Sequence, residues 1–142
     1  MNLRSYLKKE LTGKSDENLE LISIICSIAD STVDIAMDTR ITGLKQIRGS
    51  TNEINVQGEE VQMLDQIANQ SLIDSLSKNS SCAGYASEEL VEPLIFNQSA
   101  RFMVVADPLD GSSNISVNMP IGTIFGIIRN CLLYTSPSPR DA

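Results

Sequence analysis

Asp107, Asp110, Gly111, Ser112, Ser113 and Asn114 fall within one run of a 142-residue chain, Asp-Pro-Leu-Asp-Gly-Ser-Ser-Asn. Two carboxylates held about 4 Å apart repel by roughly 4 kcal/mol at an effective dielectric near 20, so if the pair converges it calls for a cation. Hard, all-oxygen ligands suit magnesium, manganese or calcium rather than zinc. Behind them, Gly111, Ser112 and Ser113 offer successive backbone N–H groups and two hydroxyls, the chemistry of an anion-binding nest. Metal ions beside a phosphate cradle are the arrangement of a phosphatase. The plainer alternative is an Asp-Pro turn closed by Asp-Gly.

These groups need elements to hold them. Phe102 to Ala106 is a continuous Val-rich apolar run, which predicts a strand buried on both faces. Proline fixes its own φ and pushes its predecessor out of the helical region, so the strand should stop at Asp107-Pro108 with the Asp107 carboxylate presented into a loop. Upstream, Cys82 to Ser87 predicts a short strand of small residues ending in Glu88-Glu89. Adjacent glutamates are ordinarily the solvated end of an element. At a strand end they point in different directions, however, so one could reach a metal while the other reaches a water.

Two helices precede these strands. From Ser15, Leu21, Ile24, Ile25, Ile28 and Ala36 recur at helical spacing, with Ser15 or Asp16 as cap and Asp16 and Glu17 at the positive end. Cys26 on this helix reads as a small buried hydrophobe. Ile41 to Asn55 reads as loop. A second helix is expected from about Glu59 to Ser77, with Val61, Leu64, Ala68, Leu72 and Leu76 facing the core and Gln62, Asp65, Gln66 and Asn69 on the other face. The helix dipole accounts for Glu59 and Glu60, and solvation for Asp65. Ile121 to Ile128 predicts another buried strand. Residues 1–14 form an arm with a break at Thr12-Gly13. From Cys131 to Ala142, Tyr-Thr-Ser-Pro-Ser-Pro-Arg excludes helix and central strand, so a disordered tail is expected.

Apolar residues make up 42% of the chain, which supports a globular fold, and its length suffices for one core. The net charge of −7 argues against nucleic acid and anionic membrane as partners and suits a site that gathers divalent cations. There is no histidine, so imidazole bases, Ser/His triads and His-ligated zinc are excluded and acid/base work falls to carboxylates. Cys26, Cys82 and Cys131 are widely spaced, which suggests reduced thiols. No apolar run reaches the ~18 residues of a membrane span, and the N-terminus lacks a signal-peptide core. The expected compartment is the cytoplasm.

The run Asp107 to Asn114 resembles the signature of the class 1 fructose-1,6-bisphosphatase family, among the magnesium-dependent sugar and inositol phosphatases. Further blocks follow in the family's order. Gly49-Ser50-Thr51-Asn52 and Val56-Gln57-Gly58-Glu59 resemble the loop before its second helix, Leu64-Asp65 the Leu-Asp within it, and Ser87-Glu88-Glu89 its strand end. Gly122-Thr123-Ile124-Phe125-Gly126-Ile127 resembles the strand after the signature. The resemblance spans about residues 15–130. It implies an α+β fold: two long N-terminal helices packed on a mixed, mainly antiparallel sheet, the N-terminal half of a layered α/β/α/β/α architecture. Glu88, Asp107, Asp110 and the Leu109 carbonyl would bind Mg2+ (or Mn2+), with Glu59 in an outer metal site. Asp65 and Glu89 would hold and deprotonate the attacking water. Asp110, Gly111, Ser112, Ser113 and Asn114 would receive the 1-phosphate of a sugar bisphosphate. The family implies homotetramers and a place in carbohydrate metabolism and gluconeogenesis.

The departures carry expectations too. Glu53-Ile54-Asn55 looks inserted in the segment that the family uses as a mobile active-site loop. Arg101-Phe102 stands where many members have a Lys-Tyr pair contacting the inhibitor AMP. The family's second half, with another metal-binding glutamate and the groups that grip the sugar and its 6-phosphate, lies outside this sequence. A truncated or chimeric chain is therefore expected, inactive alone, with residues 131–142 derived from vector or adaptor sequence. An inositol monophosphatase, a bisphosphate nucleotidase and a noncatalytic fragment are the alternatives; Ser112-Ser113-Asn114 favours the sugar bisphosphatase over the first two.

Overall fold

A computed structural model describes residues 1–11, 15–48, 54–117 and 119–130, and over 42–48, 54–62 and at 116 it describes the backbone alone. The Gly49–Asn52 motif, the Glu59 side chain and the tail beyond Asn130 thus lie outside the described residues. Three helices come first: α1 (Leu3–Glu10), α2 (Asp16–Arg48) and α3 (Ile54–Ser77). The strands β1 (Cys82–Ser87), β2 (Leu94–Ile95), β3 (Phe102–Asp110) and β4 (Gly122–Arg129) form one sheet in the order β2-β1-β3-β4. β1 runs parallel to β3, while β2 on β1 and β4 on β3 are antiparallel. The expected α+β fold with a mixed, mainly antiparallel sheet is what the chain adopts.

α2 opens where the sequence places its cap: the Asn18 backbone N–H donates to Ser15 Oγ at 3.2 Å, with Asp16 and Glu17 in the first turn. It does not stop near Ile41. It continues to Arg48, through the segment expected to be loop and through Gly43. Buried Ile35 and Thr39 keep its second half seated on the core, and the Thr39 hydroxyl returns to the Ile35 carbonyl at 2.9 Å. Packing of that kind outweighs the ~1 kcal/mol that a mid-helix glycine costs. α3 likewise begins earlier than expected, at Ile54, and takes Gly58 and Glu59 into its backbone. The N-terminal arm holds a helix as well: the Ser5 N–H donates to Asn2 Oδ1 at 2.9 Å, and Lys8 and Lys9 close the last turn. It has no buried residue.

α2 and α3 lie side by side and are stitched by short polar groups. Ser75 Oγ donates to the Ser27 carbonyl at 3.0 Å, Ser31 Oγ to the Ser71 carbonyl at 3.3 Å, and Asn79 Nδ2 to Ser27 Oγ at 2.9 Å. Small side chains let the two backbones approach and still satisfy their polar atoms. The core lies between this pair and one face of the sheet: Ile24, Ile28 and Ile35 from α2, Leu64, Ala68, Leu72 and Leu76 from α3, Cys82 and Tyr85 from β1, Phe102 and Val104 from β3. Full burial of each larger apolar group contributes roughly 1.5–3 kcal/mol.

Two strands are less buried than their composition suggests. In β3, Phe102 and Val104 point into the core, whereas Met103 and Val105 on the opposite face are half-exposed. β4, expected to be buried, is an edge strand whose Ile124, Phe125 and Ile128 are exposed. Among the described residues, helices cover only one face of the sheet. The far end of the sheet is tied to α2 by charge. Arg101 faces Glu20 at 3.7 Å and Glu17 at 4.0 Å, and Arg129 pairs with Glu17. These part-exposed pairs orient more than they stabilise.

Candidate active site

The parallel pairing of β1 and β3 builds the site. Its register sets Ser87 opposite Ala106, so the next residues of the two strands, Glu88 and Asp107, emerge together at one end of the sheet. α3 brings Asp65 over the same end.

β3 does not stop at Asp107. It carries on to Asp110 with a register shift against β4 between 107 and 110, and Pro108 sits in that irregularity. A bulge accepts proline because no ladder donor is required there. Asp107 Oδ1 accepts the Leu109 N–H at 3.1 Å, and the Pro108 carbonyl accepts from Thr123 Oγ1 at 2.9 Å. One Asp107 oxygen is thereby fixed by its own turn. Gly111 follows at φ +77°, a conformation that costs a side-chain-bearing residue about 1–2 kcal/mol. It turns the chain into a 3-10 segment, Ser112–Val117. Within it Ser112 Oγ donates to Asp65 Oδ2 at 3.3 Å. Asn114 closes the turn: its N–H donates to the Gly111 carbonyl at 2.8 Å and its Nδ2 to the Pro120 carbonyl at 3.1 Å.

The carboxylates feel one another. Asp107 first of all, then loss of water, a hydrogen bond to Asp107 and the charges of Glu89 and Asp65 hold the Glu88 carboxyl above its ordinary range. Burial pushes the Asp65 carboxyl up, the Ser112 hydrogen bond opposes the shift, and the charge of Asp107 adds to it. Like charges gathered without a counter-ion shift in this way. Arg101 and Arg129 are engaged with α2 at the opposite end of the sheet. Beside Glu88 and Asp107 the open face carries a recess of about 500 Å3, walled by Ser87, Val105, Ile124 and Phe125. A larger groove of about 790 Å3 lies between α2 and α3 among Ser27, Ser31, Ser71 and Ser75, away from Glu88 and Asp107.

Asp65, Glu89 and Asp107 therefore all act on Glu88, and Asp107 acts on Asp65 as well. Asp110 is the exposed last residue of β3 and is not among the charges that shift Glu88 or Asp65. Glu59 lies in the α3 backbone with its side chain outside the described residues. Among the described residues no three acidic or thiol groups enclose a point as a ready-made metal cage. The all-oxygen donor set and the mutual repulsion of Glu88 and Asp107 nonetheless fit a hard divalent cation.

Sequence reasoning missed the support beneath these acids. Asn69, assigned to the polar face, is 7% exposed, and its Oδ1 accepts from Tyr85 Oη at 3.0 Å and Ser87 Oγ at 2.8 Å. The Tyr85 phenol is pushed up to about 12, mainly by burial, with the Ser87 hydrogen bond lowering it and the charges of Asp107 and Glu89 raising it further. An Asn one turn beyond Asp65 was the available clue; only the packing of α3 on β1 reveals what it meets.

The chain's similarities point the same way. Residues 4–142 match the family described as fructose-1-6-bisphosphatase, N-terminal domain. A class 1 fructose-1,6-bisphosphatase of Sorangium cellulosum is 40% identical over 132 residues, 92% of this chain and 36% of that protein. One of a Psychrobacter species is 44% identical over 115 residues, 81% of this chain and 34% of that protein. The crystal structure of Leishmania major fructose-1,6-bisphosphatase in its holo form superimposes with a TM-score of 0.73 at 27% identity, over 91% of this chain and 38% of that one. The chain thus spans between a third and two-fifths of the length of these relatives. It belongs to the fructose-1,6-bisphosphatase family, as that family's N-terminal domain.

Proposed function

We propose that this domain carries the catalytic carboxylates and the 1-phosphate cradle of a magnesium-dependent enzyme that hydrolyses fructose 1,6-bisphosphate to fructose 6-phosphate and phosphate. The observation that carries the reading is the meeting of Glu88 and Asp107 at the ends of two parallel strands, with Asp65 brought over them by α3.

Glu88, Asp107, Asp110 and the Leu109 carbonyl would hold Mg2+ or Mn2+, with Glu59 in an outer site. The bound ion supplies neutralisation of phosphoryl charge and a lowered pKa for bound water. Asp65 and Glu89 orient the attacking water and take its proton; a carboxyl raised by burial is a better base than an ordinary one. Gly111, Ser112, Ser113 and Asn114 receive the 1-phosphate on backbone N–H groups and hydroxyls beyond the left-handed Gly111. The Ser112 hydroxyl, now donated to Asp65, is the group that would turn to the substrate. No helix among the described residues is long and apolar enough to cross a membrane, which accords with a small-molecule substrate in the cytoplasm. In domain terms, residues 15–130 would be the catalytic half-fold of a homotetrameric enzyme and 1–14 an arm; 131–142, expected to be foreign to it, lie within the span that matches the family. Taken alone, the chain would be inactive or nearly so, because the sugar and its 6-phosphate would be gripped by residues beyond it.

Phosphate release from fructose 1,6-bisphosphate, inositol 1-phosphate and a nucleotide bisphosphate, with and without Mg2+, tests the reading. It should be measured on this chain and on a version extended to the length of its relatives. The expected result is magnesium-dependent preference for the first substrate in the extended protein and little turnover in the chain alone. Equal or faster turnover of inositol 1-phosphate would overturn the substrate assignment.

A further inference from the structure

Asn69 has no part in the chemistry just described, yet it joins the two elements that carry the water-handling pair. It sits one turn after Asp65 on α3, buried against β1. Both Tyr85 Oη and Ser87 Oγ spend their protons on its Oδ1. Having donated there, Ser87 Oγ turns its lone pairs outward and accepts the Glu89 backbone N–H at 3.2 Å. The result is an ordered relay, Glu89 N–H to Ser87 O–H to Asn69 carbonyl, that runs from the exposed acidic turn back to the helix bearing Asp65.

We propose that Asn69 is a positioning residue: acting through Ser87, it sets the Glu88-Glu89 turn at the end of β1 in register with Asp65 on α3. An acceptor is required at 69 because two part-buried or buried hydroxyls aim at one point, and an apolar side chain would remove the oxygen to which both donate. The Tyr85 phenol keeps its proton up to about pH 12, so it remains able to donate to Asn69. Tyr85 serves the core; Ser87 serves the acidic turn. The inference rests on the reading of Asp65 and Glu89 as the site only for its functional consequence.

The test uses the whole chain with Asn69→Leu, Ser87→Ala, the two combined, and Tyr85→Phe. Glu89 amide exchange is followed by NMR and Mn2+ affinity by calorimetry, with the metal alone as probe. Asn69→Leu and Ser87→Ala should each speed Glu89 exchange about tenfold, the effect of one ordinary hydrogen bond. The double variant should be no faster than either. Tyr85→Phe should leave Glu89 exchange unmoved. Asn69→Leu should weaken Mn2+ binding by about tenfold or more, as lost outer support does at metal sites. Unchanged Glu89 exchange, additive effects, or unchanged Mn2+ affinity alongside faster exchange would each overturn the proposal. If Asn69→Leu does not fold, Ser87→Ala decides it. Absence of Mn2+ binding by the unsubstituted chain would sink the metal assignment under the proposed function, and the exchange data would still decide the relay.

Discussion

Ser112 donates its hydroxyl to Asp65 Oδ2 at 3.3 Å across 47 positions of sequence, joining the phosphate-cradle turn to the helix over the acidic strand ends. The proposed phosphate-binding turn and the proposed base are thus linked by one hydrogen bond.

Asp65→Asn is expected to separate stability from chemistry. The folded chain holds the Asp65 and Glu88 carboxyls above their ordinary values of 3.8 and 4.5. A raised folded value contributes stability that is fully present below the unfolded value and is lost as pH rises through the folded one. The metal-free chain should therefore lose stability as pH rises from the carboxylate range towards neutrality. Asp65→Asn should flatten part of that loss in denaturation curves at pH 4.5 and 7. In the extended protein it should also lower kcat by about 10²–10⁴-fold, the range for loss of a general base.

Divalent metal should reverse the same penalty. At about ten times its dissociation constant, Mg2+ is expected to stabilise the chain by roughly 1.4 kcal/mol, a few degrees in Tm by calorimetry. EDTA should abolish the gain, and Asp107→Asn should remove most of it. An identical Tm with and without metal at saturating concentrations would count against a cation site at Glu88 and Asp107.

At the alkaline end Tyr85 sets a separate limit. Its folded pKa of about 12 lies above the ordinary 10.0, so its contribution is full below pH 10 and fades as pH rises towards 12. Phenolate absorbance should contain a component rising near pH 12 that Tyr85→Phe lacks. The same variant should cost about 1 kcal/mol at pH 8 through the lost bond to Asn69, and lose less stability than the parent on going to pH 11.

Gly111→Ala tests the turn between Asp110 and Ser112. At φ +77° any side chain is strained, and the added Cβ would lie 3.1 Å from Asn114 Nδ2. A loss of about 1–2 kcal/mol is expected in urea denaturation. The Ser112 hydroxyl should also shift off Asp65, which the chemical shift of the Asp65 carboxyl carbon would report.

The β1 strand, the onset of α2 and the presence of α3 were legible because each rests on local chemistry: a run of mostly small residues ending in two acids, a serine cap with acidic neighbours, and leucines at helical spacing. The ends of α2 and α3 were not. Gly43 and Gly58 are breakers only until tertiary contacts outweigh them, and buried Ile35 and Thr39 show such contacts along α2. Pro108 reads locally as a strand end because the bulge that accommodates it depends on β4, Thr123 and the Asp107 side chain together. Helical period alone places Asn69 beside Gln66 on the face opposite the leucines, because Tyr85 and Ser87 lie on another element.

By itself the order of residues determined the kind of chemistry: carboxylates without histidine, an Asp-Pro-Leu-Asp-Gly-Ser-Ser-Asn run that resembles one phosphatase family, and the helices and strands carrying them. Those are properties of side-chain type and short-range spacing. The parallel register of β1 on β3 was decided only in three dimensions, and it alone sets Glu88 beside Asp107. So were the docking of α3 that brings in Asp65 and the burial of Asn69 beneath Ser87. Those relationships join residues far apart in the chain, and strand register and helix packing are settled by the core as a whole.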